Sequence, residues 1–149
     1  MIYFDNNATT QVAGEAVAAM IPYLAELYGN PSSGYSFSLD PRQAIEDSRL
    51  KVARLIGARD PGEVVFTSGG TESNNWAIRA ALESRSGKNE IITTAVEHEA
   101  VRVLCDLLED SGFRVNRLGV DREGMIDLEE LADAVNETTA VVSIMLANN

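Results

Sequence analysis

The chain has 149 residues, about the size of one domain, and 45% of them are hydrophobic, enough to fill one core. Its formal net charge of −11 argues against nucleic acid and anionic membranes as partners. The sequence contains no apolar run of about 18 residues, so no membrane-spanning helix is predicted. The N-terminus lacks a signal-peptide pattern, and a single cysteine, Cys105, excludes an intramolecular disulfide. We therefore expect a cytoplasmic protein.

Helical and strand patterns alternate along the chain. The periodicity predicts helices over 12–27, 40–56, 71–85 and 98–111, a short helix from 128, and strands over 63–67, 91–94, 114–118 and 140–146. Pro22 is expected to kink or divide the first helix, and Gly57 to end the second.

Two helix starts are predicted from capping residues. Asp40 is expected to cap the second helix, with Pro41 at its first position. Asp127 is expected to cap the last helix, with Leu128, Leu131 and Val135 facing inward.

The alternation of strands and helices predicts an α/β fold of three layers around a mostly parallel sheet. The last strand, 140–146, is apolar almost throughout, which is typical of a strand buried on both faces. No helix pattern follows it, so we expect the domain to be incomplete at its C-terminus.

Three polar segments follow predicted strands, at residues 68–74, 97–99 and 147–149. In open α/β sheets, ligands bind beyond the carboxyl ends of the strands, so these segments are expected to meet at one site. Gly69-Gly70-Thr71 opens a helix, where free N–H groups and the helix dipole suit a phosphate. The alternative is an ordinary helix cap at Thr71.

His98 is the only histidine of the chain. It is a candidate general base, stacking group or structural residue, and the residue alone does not decide among these roles. One histidine and one cysteine do not make a metal site, so no metal is predicted.

Five ordered motifs resemble cysteine desulfurases of the NifS/IscS type, which are fold-type-I pyridoxal-phosphate enzymes related to class-V aminotransferases. The motifs are Phe4-Asp5-Asn6-Asn7-Ala8-Thr9-Thr10, Gly29-Asn30-Pro31-Ser32-Ser33, Phe66-Thr67-Ser68-Gly69-Gly70-Thr71-Glu72-Ser73-Asn74, Glu97-His98 and Met145-Leu146-Ala147-Asn148-Asn149. Tyr35 and Ser38 depart from the family pattern, which usually has His and Gly after Asn-Pro-Ser-Ser.

The resemblance implies a role for individual residues. Gly70 and Thr71 would bind the phosphate of pyridoxal phosphate, and His98 would stack on its ring as a catalytic residue. Asn149 would contact the cofactor hydroxyl and the substrate, and Ala8 and Thr9 would lie near the substrate carboxylate. Residues 1–14 would belong to the substrate side or small domain, and residues 15–149 to the first part of the large, cofactor-binding domain.

The resemblance also implies an activity. Enzymes of this type convert L-cysteine to L-alanine and an enzyme-bound persulfide, which passes sulfur to an acceptor or scaffold protein, for example in iron–sulfur cluster assembly. Relatives are homodimers. Another fold-type-I enzyme, aminotransferase-like or lyase, and a non-catalytic scaffold remain alternatives.

The family's Schiff-base lysine and persulfide cysteine cannot be placed in this chain. Lys51 and Lys88 are expected to be solvated, and Cys105 shares a helix face with Leu104 and Leu108, which predicts a core position. The chain by itself is therefore expected to be inactive.

Overall fold

A computed structural model describes residues 2–148. The chain forms two compact units, of which the first ends at Phe66 and the second begins at Thr67. The first unit contains helices α1 (Gly14–Ala25) and α2 (Leu39–Ile56), with 3₁₀ turns at Ser36–Ser38 and Pro61–Glu63. None of the helices in the described part of the chain combines the length and the apolar character needed to cross a membrane.

Both helices predicted for the first unit are present, with different starts. α1 is not divided at Pro22, which lies inside it. α2 begins at Leu39 with Ser38 as its N-cap, so the predicted cap at Asp40 is wrong, and Asp40 and Pro41 lie in the first turn. Proline is tolerated there because a first-turn N–H has no partner within the helix. Gly57 ends α2 in the left-handed conformation, as predicted, with φ of 71°.

The turn after α1 is held by side chains that follow it. The Arg42 guanidinium donates to the Ser33 carbonyl over 2.6 Å, and the buried Ser38 hydroxyl donates to the same oxygen over 2.8 Å. A Cβ atom at Gly29 would lie 2.2 Å from the Phe37 carbonyl oxygen, so this position requires glycine. Ser38, a departure from the family pattern, thus supports the turn.

The strand predicted over 63–67 is wrong. Residues 61–63 form a 3₁₀ turn, and residues 64–67 pair with no other strand of the described chain. The buried Val64 offers its carbonyl to the Arg49 guanidinium, which also lies 5.1 Å from the centre of the Phe66 ring. Apolar β-branched residues favour a strand only where a neighbouring strand can pair with them.

The second unit is an α/β structure with a parallel sheet, which confirms the predicted fold class. Its strands are β1 (Glu90–Thr94), β2 (Arg114–Leu118) and β3 (Thr139–Val142), and its helices are α3 (Gly70–Ser84), α4 (Glu99–Asp110) and α5 (Leu128–Ala134). The strand order is β2-β1-β3, and both pairings are parallel. Every residue of the central strand β1 is buried.

The core of this unit lies between the sheet and two helices. α3 and α4 pack against each other, α4 contacts β2, and α3 contacts β3. The buried cluster contains Ile78, Leu82, Ile91, Val101, Leu104, Cys105, Leu108 and Ala140. Cys105 is fully buried, as predicted, and its burial raises the pKa of the thiol, so it stays protonated and unreactive at neutral pH.

Two predictions about burial are wrong. β3 ends at Val142, whose side chain is exposed, so the strand is shorter than 140–146 and is not buried on both faces. Asp127 caps α5 as predicted, accepting from the Glu129 N–H over 2.8 Å, but Leu128 and Val135 are exposed. A cap determines where a helix begins, but not which of its faces is covered.

Leu104 and Leu107 on α4 provide a matched pair for testing the core. Leu104 is 1% exposed and Leu107 is 53% exposed. We expect Leu104→Ala to lower the free energy of unfolding by about 2–5 kcal/mol because it leaves a cavity. Leu107→Ala should change it by no more than about 0.5 kcal/mol. Equilibrium urea unfolding measures both, and equal losses would contradict this packing of α4.

Candidate functional site

The first turns of α3 and α4 are joined by the side chain of Asn75. Its amide nitrogen donates to the Thr71 carbonyl over 2.9 Å and to the Ala100 carbonyl over 3.1 Å. One side chain thus fixes the starts of both helices side by side. Asn75 was not among the predicted site residues, although asparagine inside a helix commonly signals a side chain that bonds to backbone.

The start of α3 is open to an anionic ligand. Gly69 is the N-cap and offers no side chain to the helix, so the alternative of an ordinary cap at Thr71 is wrong. A Cβ atom added at Gly69 or Gly70 would meet no atom of residues 2–148 within 4 Å, so these residues leave space beside the turn. Within the described residues the Thr71 hydroxyl makes no hydrogen bond. The first N–H groups of a helix also lack internal partners, so the donors fit a phosphate.

Glu72 holds the shape of this turn. One of its carboxylate oxygens accepts hydrogen bonds from the Ser68 N–H over 2.6 Å and from the Ser68 hydroxyl over 2.8 Å. These bonds, the backbone one first, lower the pKa of the Glu72 carboxyl. The carboxylate is therefore ionised at neutral pH and engaged with Ser68.

His98 begins α4 and caps it. Its Nδ1 accepts a hydrogen bond from the Ala100 N–H over 3.1 Å, which assigns the ring proton to Nε2. The ring is exposed. His98, Thr71 and Asn75 line one depression of about 320 Å³. His98 can therefore cap α4 and still present a face of its ring to a ligand.

The segment after β3 lies against the loop that follows β1. Glu97 accepts from the Met145 N–H over 2.7 Å, and the Asn148 side chain donates to the Val96 carbonyl over 2.9 Å. These bonds join the second and third predicted polar segments as far as residue 148, and Asn75 links Thr71 of the first segment to the start of α4.

The predicted site residues fall into three groups. Gly70, Thr71 and His98 lie at the adjoining starts of α3 and α4. Ala8 and Thr9 belong to the first unit, in a turn whose N–H groups donate to the Asp5 carbonyl. Asn149 lies outside the described residues.

The two lysines lie in different units. Lys51 is exposed on α2. Lys88 is half-buried and donates to the Thr139 carbonyl over 3.1 Å, at the amino ends of the strands, so the expectation that it is solvated is wrong. Among residues 2–148 no group of histidine, cysteine and carboxylate side chains could hold a metal ion.

The chain is similar to known proteins over its whole length. Residues 2–149 match the family described as aminotransferase class-V. The curated protein named cysteine desulfurase 2 of Trichormus variabilis is 52% identical over 149 residues, which are 100% of this chain and 37% of that protein.

Two solved structures are also similar. A protein titled NifS-like is 42% identical with a TM-score of 0.90, and the match covers 99% of this chain and 40% of that one. A protein titled SspA in complex with cysteine is 34% identical with a TM-score of 0.85, and the match covers 95% of this chain and 41% of that one. The chain thus spans about two fifths of the length of its relatives.

Asn75 can be tested against its neighbour Asn74, which is exposed. We expect Asn75→Asp to lower the free energy of unfolding by about 1–3 kcal/mol, because a carboxylate would face two carbonyl oxygens. The amides of residues 98–102 should also exchange faster. Asn74→Asp is the control. It should leave unchanged the free energy of unfolding, measured in urea, and the hydrogen-exchange rates of the amides of residues 98–102. The same behaviour in both variants would show that Asn75 does not join the helices.

Proposed function

Because this chain belongs to the aminotransferase class-V family, we propose that it is the amino-terminal part of a pyridoxal-phosphate-dependent cysteine desulfurase. The complete enzyme converts L-cysteine to L-alanine and retains the sulfur as a persulfide on an enzyme cysteine. One observation carries the proposal. The open start of α3, where backbone N–H groups and the Thr71 hydroxyl can donate to a phosphate, lies beside the exposed ring of His98. L-cysteine as the substrate is supported by the names of two similar proteins, a cysteine desulfurase and a protein in complex with cysteine.

The start of α3 is proposed to bind the phosphate of the cofactor. The backbone N–H groups of Gly70 and Thr71 and the Thr71 hydroxyl donate to phosphate oxygens, and the helix dipole favours the negative charge. Gly69 and Gly70 allow the backbone to approach the phosphate closely because neither carries a Cβ atom.

His98 is proposed to stack on the cofactor ring. Its capping bond holds one edge of the imidazole, so the orientation of the ring is set by α4 before a ligand arrives. When bound, pyridoxal phosphate supplies an electron sink for the charge that develops at the substrate Cα. We propose further that Asn149 contacts the cofactor hydroxyl and the substrate, and that Ala8 and Thr9 lie near the substrate carboxylate.

The 149-residue chain alone is proposed to be inactive. Cys105 is buried in the core, where it cannot accept sulfur, and Lys88, the lysine of the second unit, donates to the Thr139 carbonyl at the amino ends of the strands. The lysine and the cysteine of the reaction are therefore assigned to the remainder of a longer protein. We expect that protein to be a cytoplasmic homodimer that passes sulfur to an acceptor or scaffold protein.

The activity is tested in the full-length polypeptide that contains this segment. Incubation with pyridoxal phosphate, L-cysteine and a dithiol reductant should give equal amounts of alanine and sulfide. A panel of other amino acids is the control, and none should give its deaminated or transaminated product at a similar rate. Failure to form alanine while another amino acid is converted would assign the protein to a different activity of the same family.

Two substitutions separate the capping role of His98 from its proposed stacking role. His98→Asn keeps a side-chain acceptor for the α4 cap and removes the ring, whereas His98→Phe keeps a flat ring and loses the cap. Stacking predicts roughly tenfold weaker cofactor binding in His98→Asn and a smaller loss in His98→Phe.

Thr71→Ala should weaken cofactor binding about tenfold or more, because it removes a donor to a charged group.

Cofactor affinity in these variants is measured from the visible absorbance of bound pyridoxal phosphate. Ser84→Ala, at the other end of α3, is the control and should bind as the wild type does. Stronger loss in His98→Phe than in His98→Asn would mean that the cap, not the ring, is what the cofactor site needs.

A further inference from the structure

Glu97 is a buried carboxylate between the end of β1 and the start of α4. Glu97 is only 8% exposed, and among the described residues no lysine or arginine forms an ion pair with it. Its donors are neutral: the Thr94 hydroxyl at 3.2 Å and the Met145 N–H at 2.7 Å, both to Oε1. A buried carboxyl group costs free energy unless it is hydrogen-bonded, so the two donors, and Met145 in particular, are what this position depends on.

The contact to Met145 crosses between two strands. β1 and β3 are parallel neighbours, so the chain leaves both at the same edge of the sheet. The segment 143–148 is held there by three hydrogen bonds: from the Ser143 N–H to the Ile92 carbonyl, from Met145 to Glu97, and from the Asn148 side chain to the Val96 carbonyl. The bond to Glu97 is the central one, and at 2.7 Å it is the shortest of the three.

We propose that Glu97 is a positioning residue for the cofactor site: its carboxylate fixes the segment 143–148 against the loop that carries His98. Glu97 precedes His98 directly in the chain, and its Thr94 bond fixes the carboxylate to the end of the buried strand β1. The segment after β3 therefore takes its position from the same loop as the exposed imidazole. This inference rests on the proposed function, because the position matters only if the segment and His98 face one ligand.

Two variants distinguish the effect of losing the hydrogen bonds from the effect of replacing the Glu97 side chain. Glu97→Gln retains a carbonyl oxygen in place of Oε1 and can accept both bonds, whereas Glu97→Ala removes the acceptor. Glu109→Ala is the control, because Glu109 is an exposed carboxylate at the other end of α4. In Glu97→Ala the Met145 amide should exchange about tenfold faster than in the wild type, and in Glu97→Gln and Glu109→Ala its rate should stay close to that of the wild type.

The spectroscopic measurement uses the full-length protein with bound pyridoxal phosphate. The visible circular dichroism of the cofactor should change in Glu97→Ala and be restored in Glu97→Gln, whereas a loss of stability alone would lower occupancy without changing the band shape. If Glu97→Ala does not fold, the wild type and Glu97→Gln decide. In both, the Met145 amide should exchange more slowly than that of the exposed Leu146. Equal rates would overturn the inference.

The outcomes separate the two proposals. A full-length wild type that binds no pyridoxal phosphate overturns the proposed function and the role of Glu97 with it. A wild type that binds the cofactor, together with a Glu97→Ala variant whose exchange and circular dichroism are unchanged, overturns the role of Glu97 and leaves the proposed function standing.

Discussion

The parallel pairing of β1 with both of its neighbours is the constraint on which the candidate site depends. β1 is buried along its whole length and is hydrogen-bonded to β2 on one side and to β3 on the other. Because the strands are parallel, the chain leaves β1 and β3 at the same edge of the sheet. The loop that carries Glu97 and His98 therefore meets the segment that follows β3.

Polar side chains turn this closeness into a defined geometry. Asn75 joins the first turns of α3 and α4, and Glu97 joins the loop after β1 to the segment after β3. His98 caps the helix that it begins. Each of these residues bonds to backbone groups, so the shape of the site is set by side chains acting on the main chain rather than by apolar packing alone.

The electrostatics of the site are local. The chain is strongly acidic, yet the start of α3 presents the positive end of a helix dipole and N–H groups that no side chain of the described residues caps. Glu72, the acidic residue in the first turn, is engaged with Ser68 and holds the turn in shape. An overall negative charge is therefore compatible with an anion site, because fixed backbone donors act at short range whereas distant charges are screened by salt.

The amino-acid pattern was enough to predict the fold class, the family resemblance, the core position of Cys105, and the bounds of four of the five helices in residues 2–148 to within about two residues. The helices and the core position of Cys105 follow from local spacing, which does not depend on distant parts of the chain, whereas the resemblance rests on the five ordered motifs. Which apolar segments pair as strands depends on contacts between distant parts of the chain and became clear from the fold. Residues 64–67 have the composition of a strand, but no strand of the described chain pairs with them. The Val64 carbonyl and the Phe66 ring contact the Arg49 guanidinium instead. The tertiary structure also decided the roles of Asn75 and Glu97, because their partners lie 25 and 48 residues away and no local pattern identifies them.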